Sequence, residues 1–229
     1  KSNLNPYLIP LQNCIENELY YAFDLITLIS NFPRQEIASH SYSHYYCTEN
    51  GQTLDAFSAD CDAAVKIAKD FFDVDLTSYV FPRNLINPLY LDKLKSSGFT
   101  AYRCISDDRE LSKSARSRLF RLIDTYIPVL DSKHKKTEKD HCGMKIVYSD
   151  RFLRPSSKYK FLNRLKVIRI KREMHNAAKN GDVYHLWWHP HNFGIRMTQN
   201  LSDLEKILDY YTFLKQKYGM KSVTMRDCS

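Results

Sequence analysis

Short β-type segments alternate with longer amphipathic helices along most of this chain, and this alternation limits the fold more than any other feature. Apolar side chains recur at helical spacing over residues 15–29 and 54–71. A further helix over 158–179 is followed by Gly181, a residue suited to the left-handed position at a helix C-terminus. A strand, a helix and another strand in succession form a parallel unit. The pattern therefore predicts an α/β fold with a parallel sheet or a barrel.

The boundaries of the other elements follow from local signals. Asn87 and Pro88 start a helix that ends at Gly98, and an S-x-x-E capping box at Ser202 starts a helix that ends at Gly219. Residues 106–140 are charged and less regular, which is typical of an insertion or a long loop. Five strands are predicted, over residues 35–39, 77–81, 99–103, 183–188 and 221–225.

Composition narrows the class of protein. The chain has 229 residues and shows no repeat or linker, so we expect a single domain over 1–229. Its net charge of +8 favours anionic partners, but no nucleic-acid recognition motif accompanies it, and a Lys-rich surface explains the charge. The six cysteines are scattered without a C-x-x-C pair, which favours reduced thiols in the cytoplasm. No apolar run reaches the length of a membrane span, and the first residues form no signal peptide.

Two histidines follow the strand predicted at 35–39. His40 and His44 are four residues apart, so on a helical turn their imidazoles would lie on the same side and could hold one divalent metal ion. Ligands in α/β folds gather at the C-terminal ends of strands, which supports this interpretation. The alternative is a pair of surface or capping histidines at the end of a strand.

Four segments form an ordered set along the chain: 36–44 (EIASHSYSH), 79–84 (YVFPRN), 181–189 (GDVYHLWWH) and 219–225 (GMKSVTM). Together they resemble the polysaccharide deacetylases, the NodB-homology domain of carbohydrate esterase family 4. In order, they resemble the histidine motif of that family, its aromatic-proline motif, its last motif and its closing strand. The resemblance covers nearly the whole chain and implies a distorted (β/α) barrel.

The resemblance also implies a reaction and a set of site residues. A divalent metal, expected to be zinc and held by His40 and His44, would activate water to remove an acyl group from an N-acylated amino sugar, and His189 would protonate the departing amine. The alternative for His189 is a buried structural histidine. Substrate contacts are expected from Pro82, Arg83, Leu186, Trp187 and Asn192. Trp187 is alternatively a core residue, and the family usually has an aromatic residue where Arg83 stands.

The Asp-Asp motif that opens the family's domain has no counterpart before His40. Asp24 lies in a predicted helix and is a poor substitute, whereas Asp107 and Asp108 are either neighbours of the site or loop residues. The sequence also lacks an initiating Met. We therefore expect an N-terminally truncated domain that lacks its first strand or strands and, as given, binds metal weakly and turns over poorly.

Several alternatives stay open at the level of function. A deformylase or another amide hydrolase of the same fold would carry the same residues, and a catalytically inactive carbohydrate-binding protein would explain the missing Asp pair. The expected setting is glycan biosynthesis in the cytoplasm, on a sugar intermediate. The alternative is export, directed by a signal upstream of residue 1. Basic residues beside an apolar stripe in 158–172 leave open a contact with the inner face of a membrane or with a lipid-linked substrate.

Overall fold

A computed structural model describes residues 22–105, 123–126 and 136–228. Over these residues, each helix is too short or too polar to cross a lipid bilayer. The fold is mixed α/β, and the chain forms two compact units. Unit 1 takes its described residues from Lys1–Cys104, Glu138–Val147 and Val223–Ser229, and unit 2 takes its own from Ile105–Thr137 and Tyr148–Ser222.

The sheet of unit 1 is built from β1 (Ser78–Val80), β2 (Ala101–Ile105), β3 (Glu138–Lys139) and β4 (Lys145–Ser149). Its strand order is β1-β2-β4-β3. Strands β1 and β2 are parallel, with Ser78 opposite Ala101, and β3 and β4 form an antiparallel hairpin. The parallel pair confirms the prediction of a parallel sheet, and the hairpin adds antiparallel pairing that the sequence did not predict.

Among the described residues of unit 1, the α-helices are α1 (Phe23–Ser30), α2 (Leu54–Phe72) and α3 (Leu91–Ser96). Helix α2 begins where predicted because the Thr53 side chain accepts a hydrogen bond from the Ala56 N–H. Its buried side, including Phe57 and Cys61, packs into an aromatic-rich core with Tyr79. The Pro88 segment forms a 3₁₀ turn that Asn87 caps before α3 begins.

The described residues of unit 2 include a parallel pair of short strands, two long α-helices and a short one between them in sequence. Strand β5 (Arg151–Phe152) pairs with β6 (Leu186–Trp187), so the strand predicted over 183–188 is shorter than expected. The helices are α4 (Lys160–Asn180), α5 (Pro190–Gly194) and α6 (Met197–Tyr218). Both long helices end at a glycine in the left-handed conformation, as predicted, with φ of 70° at Gly181 and 71° at Gly219.

Tertiary contacts move the start of α6 and contradict the predicted capping box. Ser202 lies inside the helix, which begins at Met197. Asn200 donates hydrogen bonds to the carbonyls of residues that precede the helix, among them Ile195 at 2.6 Å. Asp203 is buried against α4, where its carboxylate lies 3.2 Å from Lys166 Nζ. These contacts fix the helical conformation upstream of the local capping signal.

The predicted strand over 221–225 is also wrong, because these residues form no strand. The backbone just after these residues, at Arg226, is held by hydrogen bonds to side chains instead of by hydrogen bonds between strands. Arg226 N donates to Glu36 Oε2 at 3.2 Å, and Lys145 Nζ donates to Arg226 O at 2.8 Å. The strand predicted over 35–39 is reduced to a single parallel bridge between Ser39 and Tyr79.

Candidate functional site

His40 and His44 lie in a loop of unit 1 and not on the helical turn that their spacing predicts. Two residues of this loop adopt left-handed backbone angles, with φ of 70° at Ser41 and 57° at His44. The closely spaced serines supply side-chain hydrogen bonds that compete with helical ones, as Ser41 N shows by donating to Ser39 Oγ at 3.1 Å. The two imidazoles still meet, with ring centroids 4.9 Å apart.

Asp60, a buried residue of α2, holds this loop in place. Its carboxylate accepts hydrogen bonds from Tyr42 N at 2.9 Å and from Ser43 N at 2.8 Å, and a third from Ser43 Oγ at 2.6 Å. Tyr45 N adds a 2.7 Å bond to Ser41 Oγ across the turn. The loop between the two histidines is therefore fixed by a helix that begins ten residues after it.

The ring of His40 is oriented by the sheet. Its Nδ1 lies 2.7 Å from the carbonyl oxygen of Val80, at the end of β1. A carbonyl oxygen only accepts hydrogen bonds, so Nδ1 is the donor in this contact. A backbone carbonyl bonded to one ring nitrogen is the usual way in which a metal-binding histidine is held in position.

Aromatic contacts extend the histidine pair towards the Pro82 turn. The His44 ring lies 5.1 Å from the ring of Tyr46, and the guanidinium carbon of Arg83 lies 4.2 Å from that same ring. Pro82 is buried, whereas Arg83 is exposed and its backbone is left-handed, with φ of 55°. The structure thus connects His40, His44 and Arg83, three predicted site residues, through Tyr46, which the sequence reasoning missed.

The same turn is braced by the neighbouring strand. Arg103 on β2 donates two hydrogen bonds to Asn84 Oδ1, at 3.2 and 2.8 Å. Burial lowers the pKa of Arg103 to about 10, so its guanidinium remains charged at neutral pH. Asn84 is another left-handed residue, with φ of 55°. A buried cation therefore fixes the loop in which Pro82 and Arg83 lie.

The other predicted residues belong to unit 2. Leu186 and Trp187 form β6, and His189 follows at the N-cap of α5 with its side chain exposed. The His189 ring lies 5.5 Å from the Trp187 ring and 5.7 Å from the ring of Phe152 on β5. Asn192 is half-buried on α5, where its N–H donates to the His189 carbonyl at 3.0 Å. The structure groups these four predicted residues at the end of one strand, and Phe152 is a neighbour that the sequence did not reveal.

A buried ionic network supports the strand pair of unit 2. The Glu173 carboxylate on α4 accepts hydrogen bonds from Arg151 of β5, from Arg169 Nε at 2.9 Å and from the Tyr184 hydroxyl at 3.0 Å. Burial alone lowers the pKa of Arg151, but the bonds and charge of Glu173 outweigh it and raise that pKa above its ordinary value. Burial raises the pKa of Tyr184.

Three other metal-binding side chains meet in unit 1, at Asp92, His141 and Cys142. Sequence reasoning did not select them, although the consecutive Asp140-His141-Cys142 was a visible signal. Asp24 lies exposed on α1. Asp107 and Asp108 lie outside the described residues.

Comparison with known proteins supports the fold and leaves the chemistry open. No protein-family model matches the chain, and no curated protein matches it in sequence. Among solved structures, it is similar to a protein from Mycobacterium smegmatis described as a candidate polysaccharide deacetylase, with a TM-score of 0.58 and 14% sequence identity. The match covers 89% of this chain and 63% of the other, so the chain spans less than two thirds of that neighbour. At this identity the likeness shows a deacetylase-like α/β fold.

Proposed function

We propose that this chain is a metal-dependent hydrolase of the deacetylase type, which removes an acetyl group from an N-acylated amino sugar or glycan. The observation that carries the proposal is the pair of adjacent imidazoles of His40 and His44, oriented by Val80 O and fixed by Asp60. The fold similarity to a candidate polysaccharide deacetylase supports it. The distorted (β/α) barrel, the single-domain organisation and the cytoplasmic setting belong to the same proposal.

The two histidines fit part of a metal site. Nδ1 of His40 faces the Val80 carbonyl, so Nε2 is the nitrogen that would bind a metal, and the His44 ring is its immediate neighbour. Catalytic zinc sites commonly use three protein ligands and leave one position open. Within residues 22–105, 123–126 and 136–228, no third His, Cys, Asp or Glu joins this pair in a ligand group. A bound ion, expected to be zinc, would supply Lewis-acid activation of water and of the amide carbonyl.

The chain's own residues would protonate the leaving amine and bind the substrate. His189 would protonate the amine as it leaves, a task suited to imidazole because its ordinary pKa lies near neutral pH. Trp187 and Leu186 would line the acyl pocket, since the Trp187 ring already faces the His189 ring edge-on at 5.5 Å. Arg83, held on Tyr46, would contact polar or anionic substrate groups, and Asn192 would bind a sugar hydroxyl.

Acetate release from N-acetylglucosamine oligomers, with and without added zinc, tests this proposal. We expect zinc-dependent release that falls by about 100-fold or more in His40→Ala, His44→Ala and His189→Ala, because each loses a ligand or the general acid. His175→Ala is the matched control: His175 lies on α4 beside Tyr210 and Tyr218 and should leave the rate unchanged.

Other outcomes identify the alternatives. Release of formate from N-formyl sugars in place of acetate would establish a deformylase. Saturable glycan binding without release of either acid would establish an inactive carbohydrate-binding protein. Equal acetate release by the wild type and by the His40→Ala/His44→Ala double variant would refute the metal role of the pair.

A further inference from the structure

A second group of metal-binding side chains lies in unit 1, built from different residues than the His40–His44 pair. Asp92 comes from the first turn of α3, and His141 and Cys142 come from the turn that joins β3 to β4. One ligand atom from each of the three lies within 4.8 Å of the others. Two elements that are about fifty residues apart in sequence thus bring a carboxylate, an imidazole and a thiol together.

The scaffold of this group is fixed by hydrogen bonds that do not involve the ligand atoms. Gly143 N donates to Asp140 O at 3.0 Å, and Gly143 has a φ of 81°, which closes the turn in a conformation that suits glycine. Met144 N donates to Asp140 Oδ1 at 2.8 Å. Lys95 on α3 donates through Nζ to Cys142 O, which ties the turn to the helix. The ligand side chains therefore start from a preorganised backbone.

The donor set favours zinc over the hard cations. Thiolate and imidazole ligands suit zinc, whereas magnesium and calcium prefer oxygen alone. Ligand atoms around tetrahedral zinc lie about 3.5 Å from one another, given metal–ligand distances of about 2.0–2.3 Å. The Cys142 Sγ–Asp92 Oδ1 distance is 2.9 Å, and the widest separation is within 4.8 Å. Because Asp92 and His141 are exposed, rotations of their side chains can bring the observed separations of the ligand atoms to those of tetrahedral zinc without moving the core.

The charge around the group is negative on balance, because two carboxylates near Cys142 outnumber the single ammonium of Lys95, which donates to Cys142 O. Asp92 and Asp140 both lie next to Cys142, in space or in sequence. Within the described part of the chain, the second carboxylate oxygen of Asp140, Oδ2, is buried and makes no hydrogen bond. A buried carboxylate oxygen without a donor is costly, and a nearby cation would offset that cost.

We propose that Asp92, His141 and Cys142 bind a zinc ion that clamps the β3–β4 hairpin onto α3, with water completing the coordination. The Cys142 thiol gives up its proton to solvent when its sulfur binds the metal, and the hydrogen bond to Asp92 is replaced by metal coordination. The ion stabilises unit 1 and is separate from the ion proposed for His40 and His44.

Cobalt(II) titration of the chelator-treated chain tests the site, because a cobalt–thiolate bond gives a near-ultraviolet charge-transfer band that imidazole and carboxylate ligands do not give. We expect this band in the wild type, in Cys104→Ser and in the His40→Ala/His44→Ala double variant. We expect its loss in Cys142→Ser, whose hydroxyl can keep the hydrogen bond to Asp92. Zinc should raise the melting temperature of the His40→Ala/His44→Ala double variant, and this rise should be lost when Cys142→Ser is added to it.

A wild type without the band, or a Cys142→Ser variant that retains it, would overturn the proposal. If Cys142→Ser fails to fold, His141→Ala decides the question, since that side chain is exposed and its loss leaves the core intact. Cobalt affinity should fall by about tenfold or more in His141→Ala, and an unchanged affinity would overturn the site. Loss of deacetylase activity in the His40 and His44 variants with the band intact would separate the two metal roles.

Discussion

The loop that carries His40 and His44 depends on one buried carboxylate, so replacing Asp60 is the most direct test of how the site is held. Asp60 accepts two backbone N–H bonds and one hydroxyl bond, all between 2.6 and 2.9 Å. A hydrogen bond to a charged group contributes about 1.5–3 kcal/mol net, and each donor left unsatisfied costs about 1–3 kcal/mol. Because three bonds to one group are not additive, we expect Asp60→Ala to reduce the free energy of unfolding by about 3 kcal/mol.

Asp60→Asn separates the contributions of the two carboxylate oxygens of Asp60 to the free energy of unfolding. An amide oxygen in the place of Oδ1 keeps both bonds from Ser43, but the amide nitrogen cannot accept from Tyr42 N, so the expected loss is about 1–2 kcal/mol. Asp62→Ala is the matched control on the same helix. The Asp62 side chain is 59% exposed and pairs with Lys93, a contact that contributes about 0.5 kcal/mol.

Urea unfolding followed by circular dichroism measures these losses, and hydrogen exchange of peptides spanning residues 36–60 locates them. Zinc affinity should fall in parallel with the stability of the loop, because the imidazoles are no longer held together. The reasoning is refuted if Asp60→Ala destabilises the chain no more than Asp62→Ala, or if loop exchange is unchanged.

Three further predictions follow from buried or capping groups. Burial raises the pKa of the Cys61 thiol from 9.0 to about 12. The stability that the protonated thiol contributes is therefore complete below pH 9 and is lost as the pH rises towards 12. The free energy of unfolding should fall by about 1.4 kcal/mol between pH 8 and pH 10, and urea titrations of Cys61→Ala should lack that part of the pH dependence. Glu173→Ala should reduce the free energy of unfolding by about 3–5 kcal/mol because it removes the buried carboxylate that pairs with both Arg151 and Arg169. Asp70→Ala, which breaks an exposed pair, should cost about 0.5 kcal/mol or less in the same assay. Thr53→Ala should lower the free energy of unfolding of unit 1 by about 1 kcal/mol, whereas Thr53→Ser should not, because the serine hydroxyl still accepts the hydrogen bond from Ala56 N. Equal melting temperatures for the two variants would contradict this prediction.

Local signals predicted many elements close to their observed positions. The apolar spacing of α2, its start after Thr53 and the glycine ends of α4 and α6 are visible in the sequence. These features depend on side chains within a few residues of one another, so the local chain carries the information. The predictions were wrong where contacts between residues distant in sequence determine the structure. One example is the start of α6, near which Asp203 binds Lys166.

The candidate site also has features that the local sequence predicts and features that only contacts between distant residues decide. The sequence alone selected His40, His44, Pro82, Trp187 and His189 as candidate site residues, because their types and order resemble those of the polysaccharide deacetylases. It predicted the wrong backbone for the histidine pair, since a four-residue spacing matches a helical turn and does not reveal a competing loop.

Tertiary structure decided how those residues are held. Asp60 reaches the loop from 17 and 18 residues away, and Val80 orients His40 from 40 residues away. Tyr46 joins His44 to Arg83, and the turn before β4 brings Cys142 to Asp92. Sequence fixes which chemical groups are present and the local preferences of the backbone. Only folding places groups that are distant in the chain within hydrogen-bonding distance, because that proximity depends on how strands and helices pack.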